Sequence, residues 1–288
     1  MRRWLAGLLL GLCLTITAAA EAPSHSLWRG TFNDHDISIL GSIHALRPGD
    51  YPLPEAINNA YQRAETVVFE LDLANLDPES ISAAVTATGL LTQGSLPQFF
   101  DPQDWRRADE LARSMNISLD PLAGLKPWLA AMTIVQIRMT QLDYDPELGV
   151  DQHFSALARA DGKAVIGLET LLQQLAMLDS LPPHEQQALF LQSLEEAQEM
   201  GAGLDELVEA WRRGNNAALA EELGGSFTEF PELYQQLVVA RNKAWTEQIL
   251  AMDASTGDLL VVVGALHLVG PNSLIGMLKE RGLVLNQQ

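Results

Sequence analysis

One pattern occurs twice in this chain, once near each end, and few architectures satisfy it. Ile37-Ser38-Ile39-Leu40 runs into Gly41-Ser42-Ile43-His44, and Leu259-Leu260-Val261-Val262-Val263 runs into Gly264-Ala265-Leu266-His267. Each copy reads as strand, Gly-x-x-His, loop, helix, strand. The second apolar run has no polar interruption, which predicts a strand covered on both faces, as in a parallel sheet with helices on either side. Both histidines then fall beyond the carboxyl ends of strands, where open α/β sheets bind their ligands. The leading glycine lets the backbone turn sharply as it leaves the sheet.

The remaining segments fit the same plan. Ser26 to Thr31 and Ile37 to Gly41 flank the turn Asn33-Asp34-His35-Asp36, which predicts a hairpin. Pro54 opens a short helix to about Arg63, and Thr66 to Leu73 returns as a strand. Residues 101 to 251 read as mostly helical, starting from the Asp101-Pro102 cap and including Leu204, Leu207, Val208 and Trp211 on one apolar face. A strand, Lys163 to Gly167, interrupts them and leads through Leu168-Glu169-Thr170 into another helix. Pro271 and Asn272 precede a helix to about Arg281, Gly282 ends it, and Leu283 to Leu285 closes as a strand. The expected fold is α/β, a central β-sheet with flanking helices, built from two strand–Gly-x-x-His–helix–strand halves with a large helical insertion. With no short-period repeat, low-complexity stretch or Pro/Gly/Ser linker, residues 21–288 are expected to form one domain.

Residues 1–20 read as a signal peptide: Arg2 and Arg3, then an apolar stretch from Trp4 to Thr17, then Ala18-Ala19-Ala20 before Glu21. An exported protein, periplasmic or secreted, is expected. Cys13, the single cysteine, leaves with the leader, and Leu12 before it lacks the small side chain of a lipidation signal. The mature chain then has no cysteine nucleophile, Cys-ligated zinc or iron–sulfur cluster. The formal charge is −19 before the leader's two arginines are lost, and such a surface repels phosphate backbones, so nucleic acid is a poor partner. The acid-rich stretch from Glu185 to Glu232 reads as a solvated helical surface. After signal removal no segment has 18 consecutive apolar residues, so no membrane span is expected.

Chemistry concentrates in a few side chains. In Val67-Val68-Phe69-Glu70-Leu71-Asp72-Leu73, alternation puts Phe69, Leu71 and Leu73 on one side and Glu70 and Asp72 on the other. A strand beside a buried parallel strand is covered on both faces, and a covered carboxylate needs a cation or donors. His44, His267 and Glu70 together form a reasonable ligand set for a divalent metal with open positions, which lowers the pKa of bound water. Leu233, Leu237, Arg241 and Trp245 follow at steps of four, so Arg241 sits on an apolar stripe, where it meets a carboxylate or a substrate oxyanion, or snorkels to water. Glu169, at a strand's carboxyl end, reads as a functional acid or as a first-turn acid favoured by the helix dipole. Asp151 in Gly149-Val150-Asp151 reads first as a helix cap. His25, His35, His153 and His184 lie near turns or helix starts and read as surface residues.

Taken in order, these segments resemble the TraB/GumN family, related to the TIKI metalloproteases. The resemblance is carried by Leu40-Gly41-Ser42-Ile43-His44, Pro52-Leu53-Pro54, Val68-Phe69-Glu70-Leu71-Asp72, Gly149-Val150-Asp151, Gly167-Leu168-Glu169-Thr170, Arg241-Asn242 and Val263 through Gly270. It implies an α/β fold also likened to erythromycin esterase and ChaN-like proteins. In the TIKI branch the two Gly-x-x-His motifs and the glutamate after the first are associated with metal-dependent peptide cleavage, with cobalt or manganese implicated. Those positions match His44, His267 and Glu70. Ser42 stands where a threonine is expected, and Ala240 where a glutamate often precedes the arginine.

The expectation for function is an exported metal-dependent hydrolase acting on a peptide or small-molecule substrate, most simply a peptidase. His44, His267 and Glu70 would hold manganese, cobalt or zinc and a water. Arg241 would stabilise an oxyanion or orient Glu70, and Glu169 would serve as base or as support. The alternatives are a non-catalytic module binding a metal, a haem-like group or a polymer, and a metal-free esterase with a histidine as base.

Overall fold

The computed structural model describes residues 24–33, 35–72, 75–225, 227, 230–252 and 254–288, so the leader read at residues 1–20 lies outside the described residues. A six-stranded sheet runs in the order β4-β3-β5-β2-β1-β6. Its members are β1 (Leu27–Phe32), β2 (His35–Ser42), β3 (Thr66–Leu71), β4 (Ala164–Glu169), β5 (Leu259–Gly264) and β6 (Leu285–Gln287). The hairpin forms as expected, with Leu27 opposite Leu40 and Phe32 opposite His35. Strands β2, β5, β3 and β4 are mutually parallel. The uninterrupted run Leu259–Gly264 is the fully buried β5, with β2 and β3 on its two sides.

Alternation along the inner strands supplies both faces. Leu40, Val67, Phe69, Leu260 and Val262 join one core, with Ile57 and Tyr61 of α1 (Glu55–Arg63), Phe154 of α5 (Val150–Asp161) and Trp211 at the end of α7 (Pro183–Arg212). Ile37, Ile39, Val68, Val261 and Val263 join the other, with Trp245 and Ile249 of α10 (Arg241–Leu250) and Leu274 and Leu278 of α11 (Leu274–Glu280). Each such side chain withdrawn from water contributes about 1.5–3 kcal/mol, and apart from the small Ser38 the polar residues of these inner strands lie toward their ends.

The helical insertion has its own core. Ala108 and Ala112 of α3 (Pro102–Ser114), Ala130 and Ile134 of α4 (Pro127–Gln141), and Phe190 and Leu194 of α7 pack together apart from the sheet. Helix α2 (Pro78–Gly89) lies against α6 (Leu171–Asp179), while α8 (Asn216–Gly225) packs on α7. Asp101 caps α3 through Gln103 and Asp104, as its sequence predicts.

Several boundaries differ from expectation: the strand read as Lys163 to Gly167 runs from Ala164 to Glu169, and His35 and Asp36, read as turn, belong to β2. The closing strand is Leu285–Gln287, because Gly282 (φ 99°) and Leu283 are used to end α11, with Leu283 N–H donating to the Leu278 carbonyl at 3.1 Å. Strand β3 stops at Leu71. The helix expected around Phe230 to Leu250 is broken into α9 (Pro231–Tyr234), a π-helical segment Gln235–Ala240, and α10. Among the described residues no helix is long and apolar enough to cross a membrane.

Candidate functional site

Four neighbouring parallel strands end along one edge, and each delivers a functional group there. Glu169 is the last residue of β4, Glu70 the penultimate residue of β3, Gly264 the last of β5, and His44 lies two residues past β2. His267 follows Gly264 on a single 3-10 turn, Ala265–Leu268. The duplicated Gly-x-x-His pattern therefore brings its two histidines to adjacent strand ends, as the sequence predicts. A Cβ built on Gly264 would lie 3.3 Å from Glu70 Oε1, 3.3 Å from His44 Nε2 and 3.6 Å from His267 Cδ2. A carboxylate and two imidazoles thus converge on the point that the missing side chain of Gly264 leaves open.

Glu70 is held at both oxygens. Its Oε1 accepts the Gly264 N–H at 2.7 Å, and Oε2 accepts from Arg241 Nη2 and from Gln174 Nε2, the latter at 3.3 Å. Burial alone would raise this carboxyl, but the His267, Arg241 and His44 charges and the Gly264 N–H outweigh it and hold it down at about 2. Glu169 accepts Arg241 Nε at 3.0 and 3.1 Å, Trp245 Nε1 at 3.0 Å and Gln174 Nε2 at 3.2 Å. The two carboxylates thus share an arginine and a glutamine.

Arg241 spends its whole donor set internally. Beyond Glu169 and Glu70, its Nη1 lies 3.1 Å from the Leu237 carbonyl and 3.1 Å from His267 Nε2, and the guanidinium stacks 4.5 Å from the Trp245 ring centroid. The side chain is 12% exposed, so the sequence alternative of snorkelling to water does not apply, and the buried-carboxylate alternative does. The π-helical segment delivers Arg241 to this position; such segments frequently occur at functional sites.

His267 is buried, and its tautomer follows from its partners. Asn242 Nδ2 donates to the carbonyls of His267 and Asn272, at 3.2 and 2.8 Å, so its Oδ1, 2.7 Å from His267 Nδ1, is the acceptor. Nδ1 carries the hydrogen and Nε2 is a lone pair, which Arg241 Nη1 approaches and which stands 4.0 Å from Glu70 Oε1. Burial, with Arg241 adding to it, pushes the ring to about 4 against the opposing pull of Glu70.

His44 differs: its side chain is 63% exposed and its Nδ1 is 3.3 Å from Asp151 Oδ1. Desolvation opposes its protonation, but the adjacent Asp151 carboxylate, with Glu70 adding, lifts it to about 9. So open a ring is little desolvated, and the upward direction rests on those carboxylates. A cavity of about 200 Å³ lies here, lined by Ser42, His44, Glu70, Asp151 and Gln174 with apolar walls. A larger, open cavity of about 610 Å³ lies alongside the His267 turn, lined by Phe227, Tyr234, Leu266 and Val269 among others.

Asp72 does not join the cluster; its Oδ2 accepts from Asn75 at 2.6 Å. Of the four histidines expected at the surface, only His184 is exposed. His25, His35 and His153 are half-buried, His153 packing between Tyr51 and Phe154 and His25 against the Arg212 carbonyl. Sequence reasoning assigned no role at the site to Asn242, Gln174 or Trp245. For Asn242 the signal was there, since an amide beside a stripe arginine on a buried helix face needs partners. Gln174 and Trp245 carried no comparable signal.

Among the described residues no group of three or more His, Cys, Asp or Glu stands ready to hold a metal ion. The donor types are nonetheless suited to one: a carboxylate held ionised, a buried imidazole whose Nε2 lone pair faces Arg241 Nη1 and Glu70, and a second imidazole turned toward both. Three carboxylates, Glu70, Glu169 and Asp151, face two cations, Arg241 and the protonated His44 ring, so the cluster keeps room for positive charge.

A mostly parallel α/β sheet with paired imidazoles and carboxylates at its carboxyl edge defines the class of protein. The chain belongs to the TraB/PrgY/gumN family, which it matches over residues 26–287. It is similar to the uncharacterized protein YbaP of Escherichia coli strain K12 and of Shigella flexneri, at 26% identity over 84% of this chain and 87% of each relative. It is also similar to an uncharacterized protein of Treponema pallidum strain Nichols, at 20% identity over 94% of this chain and 87% of that one. No solved structure matches.

Proposed function

We propose that the protein is an exported metal-dependent hydrolase, acting as a peptidase in the periplasm or outside the cell, with its centre at His44, Glu70 and His267. The observation that carries this reading is the convergence of His44 Nε2, Glu70 Oε1 and the His267 ring around the Cβ-less face of Gly264. Ligand atoms on one ion, each at 2.0–2.2 Å, stand about 3–3.5 Å apart, so the 4.0 Å between His267 Nε2 and Glu70 Oε1 needs a modest approach, with the Arg241 Nη1 N–H turned off the Nε2 lone pair. A bound divalent ion, manganese, cobalt or zinc, would supply Lewis-acid activation of a water near neutral pH.

The protein's own groups then have separable tasks. Glu70, ionised across the physiological range, offers Oε1 to a water in the small cavity while Arg241 and Gln174 hold Oε2. Arg241 orients Glu70 and does not serve as an oxyanion donor, because its N–H groups are taken by Glu169, Glu70, the Leu237 carbonyl and His267. Glu169 in turn fixes Arg241. A cavity of about 200 Å³ is below the range for a whole drug-sized ligand, which supports a substrate that inserts one residue and runs out past the exposed His44. It is also too small for a haem-like group, which weighs against that binding-module reading of this site.

The test is metal content by mass spectrometry after chelation and reloading with zinc, manganese or cobalt, wild type beside H44A/H267A. Near-stoichiometric metal lost in the double variant is the expected result, followed by metal-dependent cleavage of a peptide library. A wild-type chain that takes up none of the three ions sinks the reading.

A further inference from the structure

We propose that Asp151 is a positioning residue, which accepts the Nδ1 proton of His44 and so presents the Nε2 lone pair of that ring to Glu70 and His267. What Nε2 is presented for rests on the metal site proposed above; the Asp151–His44 relationship stands on its own geometry. Helix α5 takes Gly149 as its N-cap with no side-chain cap, so Asp151, in its first turn, does not cap its own helix. Its Oδ1 is buried without a formed hydrogen bond, and the imidazole N–H of His44 lies 3.3 Å away. A buried carboxylate oxygen left without a donor is costly, and the exposed ring is the more mobile of the two groups, so a small turn of His44 completes the bond.

The backbone holds the two residues together independently of that bond. The Val150 N–H donates to the Ile43 carbonyl at 2.9 Å. A Cβ on Gly149 would lie 2.5 Å from His44 O and 3.0 Å from Asp151 Oδ1, so only glycine lets the helix start press against the His44 turn. With Nδ1 donating to Asp151, Nε2 is left bare, 3.3 Å from the point over Gly264 that it shares with Glu70 Oε1. Asn242 does the same for His267. The buried ring is served by a neutral amide, which adds no buried charge, and the exposed ring by a carboxylate, which water can help solvate.

The decisive measurement is the ring ¹⁵N spectrum of His44 in the metal-free protein at alkaline pH, where the ring is neutral, for wild type, D151A and D151N. Wild type is expected to be mainly the Nδ1–H tautomer. D151A should lose that preference severalfold, and D151N, whose amide oxygen still accepts, should restore it. Zinc affinity by chelator competition should fall roughly 10–100-fold in D151A and recover in D151N. Should D151A not fold, D151S, which keeps a polar first-turn oxygen but falls short of His44, takes its place. A His44 ring that keeps its Nδ1–H tautomer in D151A or D151S overturns the proposal whatever zinc does. Absence of zinc binding in the wild type would fail the metal site alone, because the tautomer is read without metal.

Discussion

Asn242 Oδ1 lies 2.7 Å from Nδ1 of His267, and this bond decides what the buried imidazole can do. It fixes the hydrogen on Nδ1 and turns the Nε2 lone pair toward Arg241 and Glu70, while burial keeps the ring neutral. The same amide also satisfies the carbonyls of His267 and Asn272, on the turn that follows β5. Asn242→Ala therefore strands two buried polar groups and a partly buried one. We expect a loss of about 2–4 kcal/mol in urea unfolding with an unchanged m-value, from a cost of about 1–3 kcal/mol per unsatisfied group that partial relaxation and water entry reduce. A loss under about 1 kcal/mol would mean that the turn does not depend on this amide.

Arg241 is the cation shared by Glu70 and Glu169, and all three side chains are 15% exposed or less. Removing it while leaving both carboxylates is the costly half of breaking a buried ion pair. Arg241→Met is expected to destabilise the chelated protein by about 3–5 kcal/mol. A divalent ion bound beside Glu70 would replace part of the missing charge. Zinc or manganese should then raise the melting temperature of Arg241→Met more than that of the wild type, whereas equal shifts in scanning calorimetry would put any bound ion away from these carboxylates.

The strand ends were legible because apolar pattern and chemistry coincide there. Leu259–Val263 could only be a strand buried on both faces, and a histidine four residues past such a run had to emerge at its carboxyl end. Arg241 was legible for the opposite reason, as a charge on an apolar stripe. Glu70 as its partner was one of two readings and Glu169 was not read as one, since no spacing rule links position 241 to 70 or 169; that pairing is made by the sheet order, which puts β3 and β4 side by side. Asp151 was hidden by a local explanation that sufficed: an acid at a helix start is usually a cap or a dipole partner, and only the fold shows its oxygen facing His44. The π-helical segment was equally hidden, because Leu233, Leu237, Arg241 and Trp245 keep steps of four that suit an ordinary helix.

The metal-free chain should be acid-sensitive in a window set by His267. Its ring titrates at about 4 in the folded protein against an ordinary 6.5, so between these values the unfolded chain binds the extra proton and stability falls as pH falls. Glu70, at about 2 against 4.5, extends the loss to lower pH. His44 acts in the opposite sense: raised to about 9, it stabilises below pH 6.5, and that contribution is lost as pH rises through 9. His267→Gln should remove about 3 kcal/mol of the dependence between pH 6.5 and 4, since its ring is only 6% exposed and little screened. Unfolding in urea at several pH values, wild type against variant, measures this. Parallel curves would show that His267 is not the group titrating there.

Gly264→Ala separates the site from the fold. The backbone at Gly264 has φ −51° and ψ 137°, which alanine adopts without strain, and its N–H bond to Glu70 does not depend on the side chain. The new methyl would sit 3.3 Å from both Glu70 Oε1 and His44 Nε2, tighter than ordinary contact and in the space between the proposed ligands. The expected variant folds, loses on the order of 1–2 kcal/mol from the crowding, and takes up metal at least tenfold more weakly than wild type. Melting temperature and chelator competition on one preparation read both effects. Wild-type metal affinity in a folded Gly264→Ala chain would mean that the ion sits elsewhere, and the convergence of His44, Glu70 and His267 would then need another explanation.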